Sequence, residues 1–183
     1  MKAILFPSSS LFIENINTGF NVNDFESFLL GNTNNMTQTL RTPKVLAAGE
    51  GDSFQMLSHL FTYKVTPEDT QGQWLMYEVT DTAGNGAPLH THSWEETFYL
   101  IEGELEIQID DRTFMAQAGA TVYFPENVAH AFRICSETVR FLVIMPAYAD
   151  DFFREVGEKV TTLPPDPEVF QAVAANHNLK LFL

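Results

Sequence analysis

Residues 84–103 read GNGAPLHTHSWEETFYLIEG and contain most of the side chains with metal-binding chemistry. His90 and His92 stand two residues apart in a strand-like segment, so both side chains point to the same face. Glu96 follows with the same parity, and in extended structure it shares that face. Two imidazoles and a carboxylate on one face are a suitable donor set for a divalent transition metal.

A second stretch, residues 119–130, reads GATVYFPENVAH and ends on another histidine. His130 lies in an apolar segment after a Gly-to-Pro turn and completes the predicted set. We therefore predict one metal site held by His90, His92, Glu96 and His130. The alternative is a polar cluster held by hydrogen bonds alone, which is less favourable because buried histidines beside a carboxylate are costly without a cation.

The neighbouring carboxylate Glu95 is the alternative to Glu96 as a ligand. In a regular strand it points to the opposite face, so it would serve only if a bulge intervened. The other two of the five histidines, His59 and His177, are interpreted as surface or packing residues. The single cysteine, Cys135, is interpreted as a small buried hydrophobic residue.

Short strands separated by turn residues surround these motifs. Runs rich in β-branched and aromatic residues predict strands at 60–65, 74–79, 97–101, 104–110, 121–124 and 139–145. Residues 104–110 alternate between polar and apolar side chains, with the odd positions facing a core. Many short strands without intervening helices indicate an all-β sandwich, jelly roll or barrel.

The chain is predicted to have three parts: an irregular N-terminal arm over residues 1–43, a barrel over 44–146 and a helical segment over 147–183 that packs on the barrel. Within the arm we expect only a short helix, at 24–30. In the last part the apolar spacing predicts helices at 150–160 and 168–176, the second capped by Asp166.

Charge and cysteine content narrow the classes of function. Asp and Glu number 24 against 10 Lys and Arg, and such an acidic surface repels nucleic acid and anionic membranes. A single cysteine allows no intramolecular disulfide. The first residues lack the apolar core of a secretory signal, and no stretch approaches the length of a spanning helix. We therefore expect a cytoplasmic protein that binds neither nucleic acid nor membranes.

The spacing of the candidate ligands resembles the two motifs of the cupin superfamily. The first corresponds to Gly84-x5-His90-x-His92-x3-Glu96-x6-Gly103, and the second to Gly119-x5-Pro125-x-Asn127-x2-His130. The chain departs from the pattern at Asn127, where the family has Gly, and at Ile134, where it usually has Asn. Asn tolerates positive φ better than other non-glycine residues, so the turn is expected to survive. The resemblance implies an antiparallel double-stranded β-helix, the cupin jelly-roll barrel.

Within that superfamily the chain looks most like bacterial single-domain cupins related to quercetinase. Thr70-x-Gly72, Pro88-x-His90 and residues 98–104, FYLIEGE, carry this narrower similarity. It implies a dioxygenase that uses O2 and one divalent metal ion to cleave a phenolic or enolisable apolar small molecule. The softness of the ligands favours Fe, Mn, Co, Ni, Cu or Zn without selecting one. Glu96 would then act as ligand and general base, which requires a raised pKa.

The sequence leaves the substrate pocket and the type of reaction open. Side chains that could line an apolar pocket are Phe98, Phe132, Met76, Trp94 and Met145. The alternatives to a dioxygenase are a non-oxidative metal-dependent isomerase or lyase and a non-catalytic binding module. The resemblance also implies a homodimer, for which the outer face of residues 97–101 and the N-terminal arm could supply an interface.

Overall fold

The computed structural model describes residues 41–182, so the predicted arm and its short helix lie outside the described residues. The described part contains eleven strands and two α-helices. The strands are β1 (Ser53–Met56), β2 (His59–Val65), β3 (Trp74–Thr82), β4 (Gly86–Thr91), β5 (Glu96–Glu102), β6 (Glu104–Ile109), β7 (Arg112–Gln117), β8 (Thr121–Phe124), β9 (His130–Ile134), β10 (Thr138–Pro146) and β11 (Lys180–Leu181). The helices are α1 (Asp150–Lys159) and α2 (Pro167–Asn176).

Two antiparallel sheets form the barrel. One has the strand order β1-β2-β3-β10-β5-β8 and the other β11-β4-β9-β6-β7. The sequence alternates within the long central strands: in β10, Val139, Phe141, Val143 and Met145 are buried and the residues between them are not. The inner faces therefore pack as one apolar core, and the predicted all-β antiparallel barrel with two C-terminal helices is confirmed.

The predicted strands are present, with ends that differ by a few residues. The largest difference is in β3, which continues three residues beyond the predicted end at Val79 and reaches Thr82. Strands β1, β7, β9 and β11 lie outside the predicted runs. In β7 five of the six residues are exposed and the sequence shows no apolar alternation. Cys135 follows directly after β9 and is exposed, so its predicted burial is wrong.

Two tight turns explain the residues at motif positions. Gly103 joins β5 to β6 with φ of +87°, and an added Cβ would lie 2.5 Å from both Ser136 Oγ and the Thr138 carbonyl oxygen. Asn127 adopts φ of +60°, as expected for the residue that replaces glycine there. Its N–H donates to the His92 carbonyl oxygen at 2.8 Å, which ties this turn to the first motif.

The helices close one end of the barrel. Phe152, Phe153 and Val156 of α1 are buried against the strands, as the predicted apolar spacing requires. Asp166 caps α2 by accepting from the N–H groups of residues 168 and 169, with Pro167 at the first helical position. Neither helix in residues 41–182 has the length and apolar character to cross a membrane.

Candidate metal centre

The four predicted ligands come from strands β4, β5 and β9 and from the break between β4 and β5. His90 lies near the end of β4, Glu96 begins β5 and His130 begins β9. His92 lies in the short break between β4 and β5, so extended structure does not run through the whole motif as the parity argument assumed. Strands β4 and β9 are neighbours with His90 opposite His130, and this pairing brings the two motifs together.

The side chains converge inside the barrel. The ligand nitrogens of His90, His92 and His130 all lie within 4.8 Å of one another. Glu96 Oε2 lies 3.6 Å from His92 Nε2 and 3.7 Å from His130 Nε2. All four residues are buried.

Each histidine is oriented by a backbone carbonyl two residues away. His90 Nδ1 lies 2.8 Å from the Pro88 oxygen, His92 Nδ1 2.8 Å from the Trp94 oxygen, and His130 Nδ1 2.9 Å from the Val128 oxygen. A carbonyl oxygen only accepts, so each Nδ1 carries the hydrogen and each Nε2 keeps a free lone pair. Metal-bound histidines in proteins have this arrangement.

The free nitrogens fit a divalent metal ion. Within residues 41–182, His92 Nε2 and His130 Nε2 are fully buried and have no hydrogen-bond partner, although a buried polar atom normally has one. Three imidazole nitrogens beside a carboxylate satisfy the preferences of a divalent transition metal, which would supply the missing partner. The three-histidine cluster therefore suits such an ion, without selecting one metal.

The site favours neutral histidines and an ionised carboxylate. Burial, followed by the neighbouring His130, lowers the pKa of His90 to about 4. Burial acts to raise the pKa of Glu96, but contacts with His130 and His92 outweigh it and hold that pKa at about 2. These are the protonation states that bind a metal. For Glu96 the shift is opposite to the raised pKa that a general base requires.

Glu95 lies outside this site. It is exposed, and its carboxylate accepts a hydrogen bond of 2.9 Å from the Tyr123 hydroxyl. The two carboxylates thus point to opposite faces, with only Glu96 beside the histidines.

The four residues border a cavity with mostly apolar walls, which offers about 110 Å³ to the centres of water molecules. Trp94, Phe98 and Phe132 line it, and the Trp94 ring stacks on His92 at 4.1 Å. Met76 does not, because the odd residues of β3 face inward and Met76 is even. Met145 is buried but lies outside the lining as well.

Two sets of lining residues were missed from the sequence. Phe152, Phe153 and Phe170 close the cavity from the helices, and only the predicted apolar face of α1 hinted at this. His59 also lines the cavity and lies 2.7 Å from the buried Asp81. The alternation in β3 places Asp81 on the inner face and could have indicated this pair from the sequence. It was missed because the predicted strand ended at Val79, before Asp81.

The family model of the cupin domain matches residues 77–145, which span β3 to β10 and all four candidate ligands. This match agrees with the two sequence motifs, and the matched residues are similar to a cupin domain. The chain is 28% identical over 118 residues to the quercetin 2,3-dioxygenase of Bacillus subtilis, a match that covers 63% of this chain but only 35% of that enzyme. An uncharacterized protein of Streptomyces coelicolor is 32% identical over 62 residues, covering 34% of this chain and 59% of that protein.

Solved structures agree on the cupin fold. The polyketide cyclase RemF from Streptomyces resistomycificus superposes with a TM-score of 0.52 and 21% identity, over 58% of this chain and 80% of the cyclase. KdgF from a Halomonas species superposes with a TM-score of 0.53 and 13% identity, over 59% of this chain and 98% of KdgF. At these identities the likeness shows the fold alone.

Proposed function

We propose that this cupin is a metal-dependent dioxygenase that cleaves a phenolic or enolisable apolar compound with O2. The observation that carries the proposal is the set of free Nε2 atoms, beside Glu96, at a cavity with aromatic walls. The similarity to a quercetin 2,3-dioxygenase supports the oxidative form of the chemistry.

The chain's own residues prepare the site for a metal. The Pro88, Trp94 and Val128 carbonyls hold the three imidazoles in the metal-binding tautomer. Glu96 adds one negative charge that offsets part of the charge of a divalent ion. His90, His92, His130 and Glu96 would hold the ion, and a bound metal would supply Lewis-acid and redox chemistry to oxygen atoms of a substrate or of O2.

The cavity favours a small ring compound. Drug-sized ligands usually occupy clefts of roughly 300–1,000 Å³, and about 110 Å³ is available beside the histidines. Phe98 and Phe132, whose rings meet edge to face at 5.6 Å, provide walls suited to a flat ring. We therefore propose a substrate whose reacting part is a single ring or an enol, and regard a whole flavonol as too large for the inner cavity.

Two roles are proposed for Glu96, metal ligand and general base. Its place beside His92 and His130 supports metal binding. Its second proposed role, as the general base, remains a prediction from the family resemblance, and the low pKa weighs against it.

The proposed activity is tested by oxygen uptake. The protein is stripped of metal and reloaded separately with iron, manganese, cobalt, nickel, copper and zinc, then given quercetin, catechol or a simple enol. We expect uptake with at least one metal and its loss in His130→Ala. His177→Ala is the matched control, because this histidine also pairs with a carboxylate, Glu155, but is not among the residues that line the cavity. Tight metal binding without uptake in any combination would replace the dioxygenase with non-oxidative chemistry or ligand binding.

The proposed homodimer has a candidate face on the six-stranded sheet. Tyr99 of β5 and Tyr123 of β8 are exposed on its outer side, on neighbouring strands. Two exposed tyrosines side by side are typical of an interface. A single monomeric species in analytical ultracentrifugation would remove this part of the proposal.

A further inference from the structure

His59 and Asp81 form a buried ionisable pair outside the metal centre. Strands β2 and β3 pair with Leu60 opposite Thr80, which brings the inward-facing His59 and Asp81 side by side. His59 Nδ1 lies 2.7 Å from Asp81 Oδ2, and both side chains are almost fully buried. An ionisable pair in the wall of an apolar core is costly and needs a reason.

Asp81 is held as a carboxylate by its neighbours. It accepts from the Ser58 hydroxyl at 2.9 Å, the Thr82 N–H at 2.6 Å and the Asn85 amide at 2.8 Å. Burial opposes ionisation, but the contacts with His59 and these donors outweigh it and hold the pKa of Asp81 at about 2. Asp81 is thus ionised and accepts only.

The carboxylate determines which nitrogen of His59 carries hydrogen. His59 Nδ1 does not make a hydrogen bond of good geometry within the described residues, but at 2.7 Å from Asp81 Oδ2 a nitrogen lone pair would repel the ionised carboxylate. The hydrogen of neutral His59 therefore lies on Nδ1, and Nε2 keeps a free lone pair. Among the residues that the structure describes, Nε2 has no hydrogen-bond partner. Unlike Nδ1, it is not fully buried.

His59 lies where two cavities meet. It lines the inner cavity of the metal centre and also an outer cavity of about 520 Å³, bordered by the β3–β4 turn and helix α2. The other residues common to both cavities are Leu57, Gly86, Pro88, Phe170 and Leu181. All five are apolar or glycine. Among the side chains shared by the two cavities, His59 Nε2 is therefore the one free acceptor for a polar group of a ligand.

The side chains packed on the His59 ring do not supply a partner for Nε2. Its ring packs against Phe61 at 6.1 Å and Phe132 at 5.7 Å, and neither can hydrogen-bond in the plane of the imidazole. Phe132 also packs on Phe98 in the inner cavity, so a ring held by these phenylalanines lies beside His59.

We propose that His59, oriented by Asp81, is the acid–base residue of this cavity and takes the proton of a substrate hydroxyl group. The inference rests on the proposed function for the overall reaction. In this step the substrate O–H bond breaks, its electron pair stays on oxygen and a new N–H bond forms at His59 Nε2. The resulting imidazolium is stabilised by the Asp81 carboxylate, as a carboxylate stabilises the histidine of other acid–base pairs.

The test uses metal-free protein and 4-nitrophenol, whose absorption moves to longer wavelength when the hydroxyl ionises. At a pH about one unit below the probe's own pKa, we expect wild-type protein to bind the probe in its ionised form. In His59→Gln the ratio of ionised to neutral bound probe should fall about tenfold, equivalent to one pKa unit. Asp81→Asn should lower the same ratio, while His177→Gln should match wild type. Circular dichroism checks that each variant is folded.

A second ligand and a second variant separate proton transfer from simple packing. 4-Nitroanisole has no hydroxyl proton and should bind wild type and His59→Gln equally well. His130→Ala should still ionise 4-nitrophenol, because the proposed acceptor is His59 and not the metal ligands. Equal ionisation in His59→Gln and wild type, or no ionised probe on wild type, would overturn the inference.

The proposed function and this inference can fail separately. The probe experiment needs neither metal nor O2, so a negative oxygen-uptake result leaves it intact. If uptake is observed, His59→Gln should lower kcat by about 10²–10⁴-fold with unchanged metal content, the usual range for a lost acid–base group. Unchanged kcat would also overturn the inference.

Discussion

Removal of one imidazole should abolish the stabilisation that a metal gives to the fold. At a metal concentration 100 times Kd, binding stabilises the folded state by about 2.7 kcal/mol. For a domain of this size about 1 kcal/mol shifts Tm by roughly 2–4 °C, so wild type should gain about 5–11 °C. His130→Ala removes one ligand. If the affinity for the metal falls about 100-fold, the same metal concentration stabilises the folded state by only about 0.4 kcal/mol. The expected gain in Tm is then about 1 °C.

The metal-free variant should remain folded. His130 packs on Phe124 at 4.3 Å, and truncation of such a buried side chain costs about 2–5 kcal/mol. It also deletes His130 Nε2, a buried atom without a partner, whose burial costs about 1–3 kcal/mol. The net loss is at most about 4 kcal/mol, which is less than the stability of an ordinary domain.

Differential scanning fluorimetry with and without Zn²⁺ or Ni²⁺ measures both effects. His177→Ala is the control and should keep the wild-type shift, because His177 contacts Glu155 outside the metal centre. The same metal-induced shift in His130→Ala as in wild type would refute the ligand assignment.

Three further outcomes follow from the geometry. Glu96→Gln should keep the fold and weaken metal binding at least about 10–100-fold, whereas Glu95→Gln should bind metal normally; calorimetry on both variants decides between the carboxylates. Because the pKa of Asp81 is lowered from 3.8 to about 2, its ionised form stabilises the fold above pH 3.8, and this contribution, at most about 2 kcal/mol, is lost as pH falls toward 2. Acid titration of Asp81→Asn should show a correspondingly smaller loss; the full wild-type dependence would contradict that pKa. Cu²⁺ should quench the fluorescence of Trp94, which stacks on His92, but not that of the outward-facing Trp74. Fluorescence titration with Cu²⁺ should therefore show no quenching in Trp94→Phe and the wild-type quenching in Trp74→Phe.

The barrel was predictable because its strands alternate. Residues 139–145 bury every second side chain, and in β6 Leu105 and Ile107 are buried while Ile109 is half-buried; such a pattern fixes both strand and face. Parity also placed Glu96 on the side of His90, even though the strand breaks between β4 and β5. The structure keeps the predicted facing of Glu96 because this residue starts a new strand with its side chain directed inward.

Other features depend on contacts between distant parts of the chain. Pairing of β2 with β3 joins His59 to Asp81, and neither residue belongs to a recognisable motif. The closure of the cavity by Phe170 depends on how α2 packs, which local periodicity does not specify. The pKa of Glu96 was expected to rise with burial, but the two adjacent histidines reverse the direction.

The two polar ends of the cavity constrain the ligand together. At one end the histidine Nε2 atoms and Glu96 present only acceptors, which a metal ion converts into a site for an oxygen atom. At the other end His59 Nε2 presents an acceptor for a hydroxyl, and phenylalanine rings lie between the ends. A ring with two oxygen functions uses both ends, whereas a ring with one oxygen leaves either the metal or His59 unpaired. We therefore expect Zn²⁺-loaded protein to bind hydroquinone, whose two hydroxyls lie on opposite sides of the ring and cannot both bind the metal, about tenfold more tightly than phenol, the gain from one hydrogen bond to a buried partner. Isothermal titration calorimetry measures both affinities, and equal values for the two compounds would show that only one end of the cavity is used.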